Sequence, residues 1–506
     1  MKRKFTLLLF LILTGLFAQA QFQGVVFDVR TYGAKGDGKT LDSPSINKAI
    51  NAASEAGGGT VFFKAGTYLS YSIHLKSNIT LFIDQGATIL AVDSTGYDAP
   101  EPNEWAKYQD FGHSHWHNSL IWGENLENIS IVGQGMIYGK GLVKEGDRKP
   151  VGTGNKAISL KWCRNVNIRD ISILYGGHFA ILATGVDNFT IDNLKIDTNR
   201  DGMDIDCCRN VRISNCSVNS PTDDGICLKA CFGLGKFKDT ENVTITNCYV
   251  CGFDTGTLLD GSYQRLKNGA PNKSPTGRIK FGTESSGGFK NITISNCVFD
   301  NCRGLALETV DGGLLEDVSI TNVTMRNIVN CPIFLRLGSR MRSPEGTPIG
   351  ELRRINISNF VVYNADPRFA SIISGIPGHD IQDVKLRDIR IYYQGGGTKE
   401  QAAIVPPEKE TGYPEPNMFG QIPCYGFFIR HVNGIEMNNV EISYMNEDLR
   451  PAILLNDVKD ADFTNLKAQH AAGIPIFDLK DVENFTTFRC KDLKDVELKK
   501  VAQKYL

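Results

Sequence analysis

A chain of 506 residues, 41% apolar and 22% charged, can bury a large core. Its 55 basic and 56 acidic residues nearly cancel, to a net charge of −1, which argues against a surface built for nucleic acid or anionic membrane. The 51 glycines suit a turn-rich, all-β protein.

In chain order, residues 1–20 read first as a secretory signal. Lys2, Arg3 and Lys4 form the basic start, Phe5 to Phe17 the apolar stretch, and Ala18-Gln19-Ala20 an A-x-A cleavage site. The apolar stretch is too short for a convincing membrane span. No cysteine comes after the cleavage point until Cys163, which argues against a lipid anchor on a new N-terminus. Removal of Lys2, Arg3 and Lys4 leaves 52 basic against 56 acidic residues, a net charge of −4. The expected location is therefore exported, periplasmic or secreted.

Next comes a helix. Asp42 is placed to cap a segment running to about Ala56, with Ile46, Ala49, Ile50 and Ala53 on one face, and Gly57-Gly58-Gly59 ends it. This cap, about residues 42–57, would cover the open first coil of a stacked β region.

From Thr60 onward one motif, Asn-apolar-x-apolar, recurs with drift. Copies start at Asn78, Asn128, Asn165, Asn188, Asn210, Asn242 and Asn291, then at Asp317, Arg354, Asp383 and Gly434. The shortest gaps are 23 and 22 residues, a solenoid period. The repeated residues are Ile, Val and Thr without intervening helices, which favours strands over leucine-rich repeats. Asn215, Asn247, Asn296, Asn322 and Asn359 share one phase, as stacked turn asparagines would. The expected fold is an all-β, single-domain right-handed parallel β-helix over residues 21–490 with a short N-terminal capping helix. Residues 491–506 are expected to form a C-terminal tail, a terminal helix or a frayed end. The Asn-x-Thr/Ser matches at Asn242 and Asn291 belong to this strand pattern rather than marking glycosylation.

Among the 13 cysteines, Cys216, Cys248 and Cys297 repeat in one phase and read as small core side chains. Cys207, Cys208, Cys227, Cys231 and Cys251 are the better disulfide candidates. None has convincing metal-site spacing. Segments 254–276 and 395–424 are long enough to wall a site.

The chemistry concentrates on Asp201, in Asn-Arg-Asp-Gly, and Asp223-Asp224, in Thr-Asp-Asp-Gly. Asp201 and Asp223 each lie 13 positions after the start of a motif copy, at Asn188 and Asn210. Consecutive coils lie ~4.8 Å apart, so equal phase predicts adjacency. Continued backwards, the phase adds His178 to make a ladder of His178, Asp201 and Asp223. Clustered carboxyls push their pKa values apart into an acid and a base, as glycosidic hydrolysis needs. Further candidates lie elsewhere. His113-Ser-His115-Trp116-His117 would place three imidazoles on one face if extended. Trp116 could stack on a sugar ring or simply pack, and Arg336 and Arg340 could fork onto a carboxylate or bridge to a neighbouring coil.

At these residues the chain resembles the polygalacturonase-like glycoside hydrolases, glycoside hydrolase family 28, with a pectin-lyase-like solenoid. Phe27 to Gly38, the stretch ending at Phe63, and Ala65 to Tyr68 look like the family's N-terminal signature. The family's site reads N-T-D-G, D-D, G-H-G and R-I-K. Asp201-Gly202 resembles the first, with Arg200 in place of threonine. Thr222-Asp223-Asp224 with Lys229 after it resembles the second. The resemblance implies inverting hydrolysis, with Asp223 as general acid and Asp201 and Asp224 holding and activating the water. No histidine lies between His178 and His379, so the G-H-G histidine is missing. Gly277-Arg278-Ile279-Lys280 mimics R-I-K, but the stretch from Lys280 to Asn291 resembles the family's segment directly after G-H-G. The slot then falls at Arg303 to Glu308, with Ala306 and Glu308 replacing the cations. That implies a substrate other than plain polygalacturonate, such as rhamnogalacturonan or another neutral-sugar linkage, although Arg278 could reach in from the previous coil. Substrate-binding candidates are His178, Lys229, Arg278, Glu308, Arg336, Trp116 and His115.

No cofactor or metal is expected. The expected partner is a plant cell-wall-type polysaccharide or oligosaccharide, acted on by a monomer, with no nucleic acid and no membrane span. Two other classes fit the same fold. One is a Ca²⁺-dependent polysaccharide lyase with ligands from Asp201, Asp204, Asp206, Asp223 and Asp224. The other is a non-catalytic carbohydrate-binding β-helix.

Overall fold

A computed structural model describes residues 25–109, 112–144, 150–267 and 275–506. The proposed signal, residues 1–20, lies outside the described residues. Among the described residues, no helix is long and apolar enough to cross a membrane.

The strands stack in parallel, coil upon coil, as the repeat requires. Ile181 pairs with Met203, Met203 with Ile226, and Ile226 with Ile279, all pointing inward. On a second face Val166, Phe189, Val211, Val243 and Ile292 form an equivalent stack. Each such side chain, fully buried, contributes about 1.5–3 kcal/mol.

The corners explain the asparagines. Asn78, Asn128, Asn165, Asn188, Asn210, Asn242 and Asn291 all have φ between 54° and 62°. Asparagine tolerates this left-handed conformation better than other residues with a Cβ. Their amides also bond along the column: Asn188 Nδ2 donates to Asn165 Oδ1 at 3.0 Å, and Asn210 Nδ2 to Asn188 Oδ1 at 3.1 Å. The second column is likewise left-handed at Asn215, Asn247, Asn296, Asn322 and Asn359.

Helix α1 (Ser43–Glu55) buries Ile46, Ala49, Ile50 and Ala53 against the first coil. Asp42 precedes it but does not cap it. Its carboxylate accepts instead from the backbone N–H groups of Lys35 and Gly36, at 2.7 and 3.0 Å, tying the preceding loop to the helix. After the helix, Gly58 (φ 130°) has no room for a Cβ, which would lie 2.6 Å from the Asn78 carbonyl oxygen.

Two further expectations are corrected. All 13 cysteines are free and buried, so Cys207, Cys208, Cys227, Cys231 and Cys251 form no disulfides. Cys207 and Cys231 turn instead to the Asp206 carboxylate. The C-terminal tail is neither helix nor frayed: Val496–Tyr505 is a strand, antiparallel to Phe477–Phe488. Val496, Leu498 and Val501 give it a half-buried face that a polar reading overlooks.

Candidate active site

The site lies on the outer side of one sheet of the coil. Its strands are β1 (Phe179–Thr184), β2 (Asp201–Asp206), β3 (Ile226–Ala230), β4 (Ile279–Ser285), β5 (Leu305–Thr309) and β6 (Ile333–Leu337). Alternation along each strand sends one residue to the core and the next outward. One outward column therefore reads Leu182, Asp204, Cys227, Lys280, Ala306 and Phe334.

Asp201, Asp223 and Asp224 converge at the start of β2 and β3, with oxygens within 4.8 Å of one another. Their register differs from the equal-phase expectation. Phe179 pairs with Asp201, so His178 aligns with Arg200. Met203 pairs with Ile226, which brings Asp224 rather than Asp223 level with Asp201. Earlier in the same coil the offset is 22, since Asp197 pairs with Asn219. The turn around Ser220 to Gly225 holds one extra residue, and that residue lifts Asp223 out toward solvent. Asp223 keeps 31% side-chain exposure, whereas Asp201 and Asp224 are buried. The glycines after the aspartates allow this crossing: a Cβ on Gly202 would lie 2.3 Å from the Gly225 carbonyl oxygen.

Arg200 joins the cluster from the position where the family has threonine. Its guanidinium reaches Asp201 Oδ2 and Asp223 Oδ2, each at 3.0 Å. Arg278 Nε donates to Asp224 Oδ1 at 2.9 Å, and Lys280 Nζ lies 3.5 Å from Asp224 Oδ2. These contacts separate the two buried carboxyls. Burial, then Asp223 and Asp204, pushes Asp201 well above its usual value. Burial also opposes ionisation of Asp224, but Lys280, Arg278 and Lys229 outweigh it and hold Asp224 well below its usual value.

Beneath the trio, Lys229 Nζ donates to Glu284 Oε2 at 2.8 Å and lies 3.7 Å from Asp204 Oδ2. The His113 ring Nε2 sits 3.1 Å from Asp204 Oδ2. Glu308 is fully buried, 3.5 Å from Lys280 Nζ. Burial raises its carboxyl to about 7 despite Lys280 and Arg278. His178 is buried with its Nδ1 2.7 Å from the Lys144 carbonyl oxygen, and burial, then Arg200, holds its imidazole well below the usual value.

Three expected substrate contacts lie elsewhere. Trp116 is fully buried against Phe179 and Leu182, its Nε1 donating to Thr184 Oγ1 at 3.0 Å, so it is packing rather than a sugar platform. The three histidines around it do not share a face, because this segment is a loop and not a strand. His113 meets Asp204, His115 meets the Glu101 carbonyl oxygen at 2.7 Å, and His117 meets Glu124 at 2.8 Å. Arg336 is fully buried and holds backbone, bonding the Gly375 carbonyl at 2.8 Å and those of Glu408 and Lys409 at 3.2 Å. Arg340 forks onto Asp311 on a neighbouring turn.

The segment 395–424 supplies residues that spacing and motifs did not mark. Glu415 binds both Arg278 Nη2 and, at 3.1 Å, Arg303 Nη1. Tyr413, half exposed, accepts from Thr283 Oγ1 at 3.0 Å, with Lys280 Nζ 5.5 Å from its ring. Arg278 and Lys280 thus both face the site, although their string looked like a mimic of R-I-K. In sequence the signal for Glu415 was only an acidic residue between two prolines in a long loop.

Clusters of ligand-type atoms within 4.8 Å occur at Asp201–Asp223–Asp224, His113–Asp201–Asp204, Asp206–Cys207–Cys231 and Asp380–His431–Asp457. A cation entering the first would have to displace Arg200.

One exposed and two buried carboxyls, the buried pair pushed in opposite directions, stand on the outside of a parallel β-helix and can supply an acid and a base. Comparisons with known proteins narrow the class. The family description "Glycosyl hydrolases family 28" matches residues 103–268, and "Rhamnogalacturonase A/epimerase, pectate lyase-like" matches residues 26–173. A probable polygalacturonase of Vitis vinifera is 24% identical over 387 residues, 71% of this chain and 73% of that protein. An exo-poly-alpha-D-galacturonosidase of Dickeya chrysanthemi is 25% identical, over 62% of this chain and 57% of that enzyme. The crystal structure of an exopolygalacturonase from Thermotoga maritima shares the fold, with a TM-score of 0.57 and 18% identity over 96% of each chain. The chain is a glycoside hydrolase that over residues 103–268 matches the description of family 28, and its relatives include polygalacturonases.

Proposed function

We propose that this hydrolase is exported and cleaves its pectic substrate by single displacement with inversion. Asp223 is the general acid, and Asp201 and Asp224 hold the attacking water. The observation that carries this reading is the division of the trio: one carboxyl on the solvent side, two buried and pushed in opposite directions. Asp224, kept ionised by Arg278 and Lys280, can accept the proton of a water that Asp201 orients. Asp223, on its raised turn, faces the leaving oxygen. The oxygens lie within 4.8 Å, closer than the roughly 6.5–9.5 Å between acid and base in most inverting pairs. Arg200 contacts both Asp201 and Asp223 and holds these two carboxyl groups close together.

The sugar at the reacting position is neutral rather than galacturonate, as in a rhamnogalacturonan-like or substituted backbone. Among the described residues, the cations around the trio are already matched. Arg200 meets Asp201 and Asp223, Lys229 meets Asp204 and Glu284, and Lys280 meets Asp224 and Glu308, while Arg278 and Arg303 share Glu415. The basic start and A-x-A site of residues 1–20 support export.

The test is Asp223→Asn assayed on a panel of pectic oligosaccharides, with NMR tracking the anomer of the first product. Loss of about 10²–10⁴-fold in kcat, with substrate binding kept, is the expected result. Unchanged turnover would remove Asp223 as the acid, and a product of retained configuration would remove the mechanism.

A further inference from the structure

The segment 395–424 crosses the site as a strap, and it is fastened at both ends of its contact. Arg336 bonds the carbonyls of Glu408 and Lys409, and Arg430 bonds those of Pro406 and Pro407. Both guanidiniums lie over the Phe419 ring, at 5.3 and 5.4 Å. Phe419, Ile422 and Cys424 then pack on Phe334, Ile372 and Phe428 of the sheet. The position of Glu415 is therefore built into the fold.

From that position Glu415 carries a carboxylate to Arg278, whose Nε binds Asp224 at the same time. Arg303 closes on the other carboxylate oxygen at 3.1 Å. A guanidinium pair gripping one carboxylate beside the reacting aspartates is the arrangement that would seat a uronate. Here the chain itself fills it. An acidic sugar entering beside Asp224 would meet Glu415 with each neighbouring cation already engaged, and would lose its hydration without compensation.

We propose that the Glu415 carboxylate occupies the anion-binding position next to Asp224 and thereby makes the protein select an uncharged sugar there. Glu415 is then the specificity-determining residue of the site. This rests on the function proposed above. Replacement of Glu415 by an uncharged residue leaves the buried Arg278 and the partly exposed Arg303 without that partner, so an incoming carboxylate gains what Glu415 supplied.

Galactose and galacturonate differ only at C6, hydroxymethyl against carboxylate, and serve as paired probes. Their binding is measured calorimetrically on Asp223→Asn, and on the same protein carrying Glu415→Gln or Glu415→Ala, with thermal unfolding recorded for each. The expected result is that the galacturonate-to-galactose affinity ratio rises about tenfold or more in both Glu415 variants, while galactose binding stays within a few-fold. An unchanged ratio, an equal loss of both sugars, or no binding of galacturonate to any variant overturns the proposal. If Asp223→Asn still turns over substrate, the acid assignment falls, while the affinity ratio continues to judge Glu415.

Discussion

One outward column of the sheet has two halves that share geometry and differ in chemistry. From β1 to β4 it reads Leu182, Asp204, Cys227 and Lys280, carrying two buried charges after Leu182, which packs under Trp116. From β5 it reads Ala306, Phe334, Ile372, Phe428 and Leu454, an apolar run that ends at Asp478. The strap 395–424 spans the boundary, with Tyr413 and Glu415 on the charged half and Phe419, Ile422 and Cys424 on the apolar half. The hydrophobic part of the coil's stability comes from the inward stack, whatever the chemistry of the outward column. The outer face is thus free to hold charges where chemistry happens and hydrocarbon where a covering segment must be held.

Exchanging the character of one position tests this division most severely. Lys280→Met would extend the apolar half by one coil and leave Asp224 and Glu308 short of their shared cation. The expected cost is about 3–5 kcal/mol in denaturant unfolding, with activity lost as the Asp224 carboxyl rises toward its ordinary range. A stability loss under about 1 kcal/mol would mean that solvent, not Lys280, balances these carboxylates.

Phe419→Ala attacks the other half by removing the ring on which Arg336 and Arg430 lie. Its packing is worth about 3–4 kcal/mol. Because the strap is outside the coil, the loss should appear as faster proteolysis and hydrogen exchange within residues 406–424, and as a fall in kcat/KM, with the global transition little moved.

Glu308→Gln sharpens the comparison through pH. Glu308 holds its proton up to about 7 in the folded protein, against 4.5 as its ordinary value. The unfolded chain therefore releases that proton first, and stability falls as pH rises from the lower value to the higher. Relative to the Gln variant, the native protein should lose about 3 kcal/mol across that window and keep the difference constant above it. Parallel stability–pH curves for the two proteins would contradict the buried, protonated state.

What the sequence disclosed and what it hid divide along the same line. The coil, the asparagine corners, the capping helix and the core thiols Cys216, Cys248 and Cys297 repeat or alternate, so spacing alone exposes them. The three aspartates were also legible, because they sit at fixed distances from the repeat. Their alignment was not: a single additional residue near Ser220 exchanged Asp224 for Asp223 beside Asp201, and a turn's length leaves no periodic trace. Trp116 was misplaced because nothing near it in sequence reveals Phe179 and Leu182 as its neighbours. Glu415 lies far along the chain from Arg278 and Arg303, and only folding brings them together. Irregular segments decide the chemistry here, and they are where pattern is weakest.

The strand Val496–Tyr505 covers the preceding coil in a way that reaches beyond its own contacts. Every coil before it offers its successor a ladder of the same polarity, and identical coils could in principle add without end. Val496–Tyr505 runs in the opposite direction and sets Lys499 and Lys500 outward. Reversed polarity and a charged rim deny a second copy the template on which it could continue growing a fibre from this end.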